Sequence, residues 1–213
     1  LTDPTTYPKA PNVLGEVPTI APVSPLIELT AEGDYSELVH PIVCHTRPKV
    51  VLVGPPGAGK STIGRRLSRA LSLPLVDTDD LIAEDAGKAT GAVFSELGEE
   101  RFREIEAEKV AEALTTGGIV SLGGGAVLTD STRELLASHA VVWVDVSAEE
   151  GVRRTGSDDS RPVLAAANLF EHYRQLLETR APFYREVADY RVRTDSRSPQ
   201  QVVADILGFL DAY

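Results

Sequence analysis

The sequence predicts an α/β fold, a parallel sheet flanked by helices on both faces. Three observations carry this. Short β-branched runs alternate with segments of helical period from residue 49 onward. The first run, Val50-Val51-Leu52-Val53, is apolar throughout, as a strand buried on both faces must be. It leads straight into Gly54-Pro55-Pro56-Gly57-Ala58-Gly59-Lys60-Ser61-Thr62, a glycine-rich turn with a helical pattern behind it.

The elements follow in order. After the strand at 50–53, residues 61–71 place Ile63, Leu67, Ala70 and Leu71 on a helical stripe. Leu75 and Val76 make a second short strand. Residues 80 to about 115 are helical in at least two pieces, because Gly87 and Gly98 interrupt them. Residues 119–122 are a third strand, and a helix at 131–137 follows a Thr-Asp-Ser start. A fourth strand at 141–144 contains Trp143, which reads as core. A helix at 148–154 is followed by a polar, irregular stretch at 156–168 and a long helix at 169–187. Residues 190–192 are the fifth strand. The last helix begins after Ser198-Pro199 and puts Val202, Val203, Ile206, Leu207 and Leu210 on one face. No internal repeat is present.

Prolines mark the domain boundary. They stand at 4, 8, 11, 18, 22, 25, 41 and 48, and afterwards only at 55, 56, 74, 162, 182 and 199. Pro disfavours helix in the residue before it and cannot donate to a sheet ladder. Residues 1–47 therefore read as a Pro-rich, acidic, mostly disordered tail, and 48–213 as one domain. Apolar residues between 24 and 44 leave open a strand or a docked segment there. Cys44 beside His45 reads as ordinary linker, since the chain of 213 residues has a single Cys.

Composition excludes several classes. One Cys rules out an intrachain disulfide and a thiolate metal cage. The net charge of −11 disfavours nucleic acid and anionic membrane as main partners. No apolar run is long enough to span a bilayer, and no basic-then-apolar start is visible. A reduced, cytoplasmic location is expected. The chain has no Met and opens on Leu1, so either the first residue was not read as Met or the chain is a piece of something longer.

The chemistry begins where the first strand ends. In G-x-x-x-x-G-K-[ST] the loop turns its N–H groups around a phosphate, and the next helix points its N-terminus at the anion. Gly57, Ala58, Gly59, Lys60, Ser61 and Thr62 are the candidate nucleotide-binding residues, with Lys60 reaching the β- and γ-phosphates and Ser61 ligating Mg²⁺. Asp77 and Asp79 leave the tip of the second strand; one can support Mg²⁺ and the other can accept a proton from a substrate hydroxyl. The same residues also suit a helix start. Gly123-Gly124-Gly125, at the end of the third strand, lets a ligand lie against bare backbone or makes a flexible turn. Arg103, Arg161 and Arg180 are cations that spacing alone does not raise above surface ion-pair partners.

Together these residues resemble the shikimate kinase family, of the nucleoside-monophosphate-kinase branch of phosphate-loop folds. The resemblance runs from Lys49 to near the C-terminus. It rests on the phosphate loop, Asp77-Thr78-Asp79, Phe102-Arg103, Leu122-Gly123-Gly124-Gly125, Arg161-Pro162 and Arg180-Ala181-Pro182. It implies a monomeric, cytoplasmic kinase that moves the γ-phosphoryl of ATP, with Mg²⁺, to the 3-hydroxyl of shikimate in aromatic amino acid biosynthesis. It implies a five-stranded sheet of order 2-3-1-4-5. By resemblance, Asp79, Arg103, Gly124, Gly125 and Arg180 bind shikimate, with Arg103 and Arg180 on its carboxylate and Asp79 as base. Lys60 and Arg161 stabilise the transferring group. Ser61 holds Mg²⁺ directly and Asp77 through water. Arg154 and Arg197 flank adenine, and 156–168 is the lid. The tail has no counterpart in the family. Competing readings are a gluconate or nucleotide kinase of the same branch and a non-catalytic ATP-binding regulator.

Overall fold

Five short runs pair into one sheet: β1 (Pro48–Val53), β2 (Leu75–Asp77), β3 (Gly118–Ser121), β4 (Val141–Asp145) and β5 (Tyr190–Arg193). Their lateral order is β2-β3-β1-β4-β5 and every pair is parallel, the order the resemblance implied. The computed structural model describes residues 47–155 and 169–213, which fall in one compact unit. The tail reading up to residue 46, Cys44 and His45, the 156–168 lid and Arg161 lie outside the described residues.

Seven helices connect and flank the described strands: α1 (Lys60–Leu71), α2 (Thr78–Ala86), α3 (Thr90–Ala113), α4 (Asp130–Leu136), α5 (Ala148–Thr155), α6 (Leu169–Val187) and α7 (Pro199–Ala212). The two glycine interruptions stand where expected. Gly87 ends α2 in the left-handed region, and Gly98 kinks α3 with φ 76° and ψ 170°. The start of α7 carries a full capping box between Ser198 and Gln201. A short 3-10 turn at Ala126–Leu128 was not legible in the sequence.

Period-two alternation along the central strands divides the core between the two faces. Val50, Leu52, Val142 and Val144 pack with Ile63, Leu67, Val202 and Ile206 of α1 and α7. Val51, Val53, Val141 and Trp143 pack with Val110, Ala113, Tyr184 and Val187 of α3 and α6. Trp143 is core, stacked on Tyr184 with ring centroids 5.7 Å apart. Each fully buried Val, Leu or Ile among them contributes about 1.5–3 kcal/mol. Among the described residues no helix is long and apolar enough to cross a membrane. Because all strands are parallel, their carboxyl ends share one edge, and the loops leaving β1, β2 and β3 meet there.

Candidate active site

The loop after β1 wraps the start of α1. Gly59 caps that helix with φ 93° and no side-chain hydrogen bond, which leaves the first N–H groups of α1 uncapped by a side chain, and Lys60, Ser61 and Thr62 line a pocket there. Lys60 Nζ donates to Gly54 O at 2.8 Å and to Pro55 O at 3.1 Å. Ser61 Oγ donates to Asp77 Oδ2 at 2.9 Å. The other Asp77 oxygen accepts from the Asp79 N–H at 3.1 Å and so caps α2. The two readings of this Asp pair are thus compatible: one carboxylate starts a helix and faces the phosphate loop.

Thr78, fully buried, fastens β2 to the glycine turn. Its hydroxyl accepts from Gly123 N at 2.9 Å and faces Ser121 O at 3.5 Å. Beyond this knot lies a cleft of about 430 Å³ whose lining includes Asp79, Arg103, Glu106, Gly124, Gly125 and Arg180. Arg103 Nη1 donates to Glu106 at 2.5 Å, and the Glu106 side chain is only 3% exposed. The Arg103 guanidinium lies 5.6 Å from the Phe102 ring centre and 6.0 Å from that of Phe94. Its Nε is buried without a hydrogen-bond partner. Burial pushes the Glu106 carboxyl above its ordinary range, and the facing Arg103 only partly opposes this. Arg180 Nη1 and the Tyr184 hydroxyl both donate to Gly124 O, at 2.9 and 2.6 Å. A Cβ at Gly125 would lie 2.2 Å from the Arg103 guanidinium, so a side chain there would displace that cation.

A pocket of about 270 Å³, the phosphate pocket, adjoins the cleft, lined by Gly57, Gly59, Lys60, Ser61, Thr62 and Asp77 among others, and the two share Asp79 and Gly124. An outer pocket of about 520 Å³ follows, lined by Ala58, Arg154 and Arg197 among others. Arg154 spans the junction: it donates to Gly57 O at 3.1 Å and to Thr194 Oγ1 at 3.0 Å. Arg197 pairs with Asp205 at 2.6 Å. Every sequence-derived site residue except Arg161, which is outside the described residues, lines one of these three adjoining pockets.

Ser61 and Asp77 offer hard oxygen donors in the lining of the phosphate pocket. This set fits Mg²⁺, which takes few protein ligands and completes its shell with phosphate and water. Among the described residues no cluster of His, Cys, Asp or Glu could hold a metal unaided. A cation here would be shared with a bound phosphate.

Sequence reasoning missed Glu106, Thr78 and Tyr184. Glu106 had a signal: it stands one turn after Arg103, on the inward stripe of α3 that also carries Phe102 and Val110. Tyr184 likewise follows Arg180 by one turn on α6.

The family model described as shikimate kinase matches residues 56–211. A shikimate kinase of Corynebacterium efficiens is 69% identical over 165 residues, 78% of this chain and 98% of that protein. One of Corynebacterium glutamicum is 66% identical over 164 residues, 77% of this chain and 97% of that protein. The solved shikimate kinase from Acinetobacter baumannii in complex with shikimate is 32% identical, with a TM-score of 0.75 over 78% of this chain and 94% of that one.

Proposed function

Since the chain belongs to the shikimate kinase family, we infer that it transfers the γ-phosphoryl group of ATP to the 3-hydroxyl of shikimate, forming shikimate 3-phosphate and ADP. The supporting observation is the phosphate pocket adjoining both a cleft lined by Arg103 and Arg180 among others and an outer pocket lined by Arg154 and Arg197 among others. Phosphoryl transfer asks for positioning and charge stabilisation and little covalent chemistry.

Arg103 and Arg180 take the shikimate carboxylate, the bidentate task guanidinium suits. Asp79 orients the hydroxyls and accepts the proton of the 3-hydroxyl as its oxygen bonds to γ-phosphorus. The bond from γ-phosphorus to the bridging oxygen breaks, and that oxygen leaves on ADP. Lys60 exchanges its two loop carbonyls for phosphate oxygens. Ser61 would hold Mg²⁺ directly and Asp77 through water, and the ion would neutralise charge on the β- and γ-phosphates. Arg154 and Arg197 flank adenine. Arg161 keeps its sequence-based role beside the transferring group. Catalysis is assigned to residues 48–213, acting as a monomer in the cytoplasm without nucleic acid or membrane.

The decisive measurement is ADP release with shikimate, gluconate or a nucleoside monophosphate as acceptor. Turnover is expected on shikimate. Strong turnover on another acceptor with none on shikimate would refute the assignment. A chain beginning at Thr46 is expected to keep full turnover, and sedimentation should give one protomer.

A further inference from the structure

Four successive carbonyls of the phosphate loop are each held by a side-chain donor. Gly54 O and Pro55 O accept from Lys60, Gly57 O from Arg154, and Pro56 O from the Tyr173 hydroxyl at 2.5 Å. Lys60 must leave its two acceptors to reach a phosphate. Tyr173 is uncharged and belongs to α6, far along the chain.

Pro56 O lies in a peptide that can turn over. Ala58 N donates to Pro55 O at 3.3 Å, which closes a four-residue turn. Pro56 holds its second position and Gly57 its third, with φ 75°. Those are the marks of a type II turn. Types I and II differ mainly in which way the central peptide faces, here Pro56–Gly57. In a planar trans peptide the C=O and N–H point oppositely. With Pro56 O bound to Tyr173, the Gly57 N–H faces away from Tyr173, and Gly57 lines the phosphate pocket, as Tyr173 does not. The flipped peptide would turn a carbonyl oxygen toward the anion.

Tyr173 is a rigid donor. It is fully buried, and a Cβ at Gly151 of α5 would lie 2.3 Å from its ring, so the ring is wedged between α5 and α6. We propose that Tyr173 is a positioning residue for the nucleotide, holding the Pro56–Gly57 peptide in the orientation that offers an N–H to phosphate. This rests on the kinase assignment above.

The test is full-chain Tyr173→Phe, which keeps the ring and removes the hydroxyl. If the hydrogen bond preorganises the loop, the freed peptide turns over in the empty protein and must turn back to bind. Calorimetric titration should then show the ADP Kd raised about 5- to 30-fold, with KM for ATP following. KM for shikimate at saturating ATP should stay within twofold, and Tm of the empty protein should hardly move. A merely structural bond gives the reverse, a lowered Tm and unchanged ADP affinity. An ADP Kd raised less than threefold, or an equal rise in KM for shikimate, overturns the proposal. Wild-type turnover on shikimate is read separately, and the ADP titration stands whichever acceptor the enzyme uses.

Discussion

The two ends of the cleft are built in opposite ways. The end assigned to the nucleotide's phosphates is built around one contiguous stretch, Gly54 to Thr62, and presents backbone N–H groups and a helix N-terminus. The end assigned to the acceptor draws Asp79 from α2, Arg103 and Glu106 from α3, Gly124 and Gly125 from the loop after β3, and Arg180 from α6. Backbone dipoles bind an anion without burying an ionised side chain. A clamp of side chains must bury charge, and Glu106 is the compensating carboxylate. A local turn suffices for the first, whereas the second forms only when four separate segments have packed.

This contrast can be broken by single substitutions. The largest effects are expected where chemistry occurs. Asp79→Asn should lower kcat by about 10²–10⁴-fold through loss of the proton acceptor. Lys60→Ala should lower it by about 10²–10³-fold through loss of charge stabilisation. Both should keep the wild-type circular dichroism spectrum, and near-normal kcat in either removes that residue from the mechanism. Next, Arg180→Ala should raise KM for shikimate about 10- to 100-fold, as loss of a charge-assisted hydrogen bond does. KM for ATP should change less than threefold, and parallel changes would mean that the two ends are not separable. Arg154→Ala is the mirror image: KM for ATP should rise by about tenfold while KM for shikimate stays put.

The smallest effect concerns Glu106. Its carboxyl is raised in the folded state, chiefly by burial, so the native protein binds this proton more tightly than the unfolded chain. Such a group costs stability above its folded pKa, and the cost is relieved as pH falls through that value. Glu106→Gln removes the titration. The wild-type Tm minus the Glu106→Gln Tm should therefore be larger at pH 5 than at pH 7.5. A difference independent of pH would show that Glu106 does not titrate there.

Legibility followed the same divide. The helix of α1, the breaks at Gly87 and Gly98 and the start of α7 at Ser198-Pro199 were all readable, because glycine, proline and caps act within a turn of where they stand. Arg103 and Arg180 were visible as residues, but spacing could not raise them above surface cations. The structure puts both on one cleft, with Arg180 and Tyr184 meeting at Gly124 O. Tyr173 left no local trace, since its partner Pro56 lies on another element.

By itself the sequence determined the alternation of strands and helices, the phosphate loop and the residue types able to bind a phosphate and a carboxylate, since period, turn chemistry and donor identity are local properties. Packing decided which arginine stands beside which glycine, that Glu106 is buried with Arg103, and which way the Pro56–Gly57 peptide faces. Those depend on distances between residues remote along the chain, which exist only once the parallel sheet has brought its carboxyl ends to one edge.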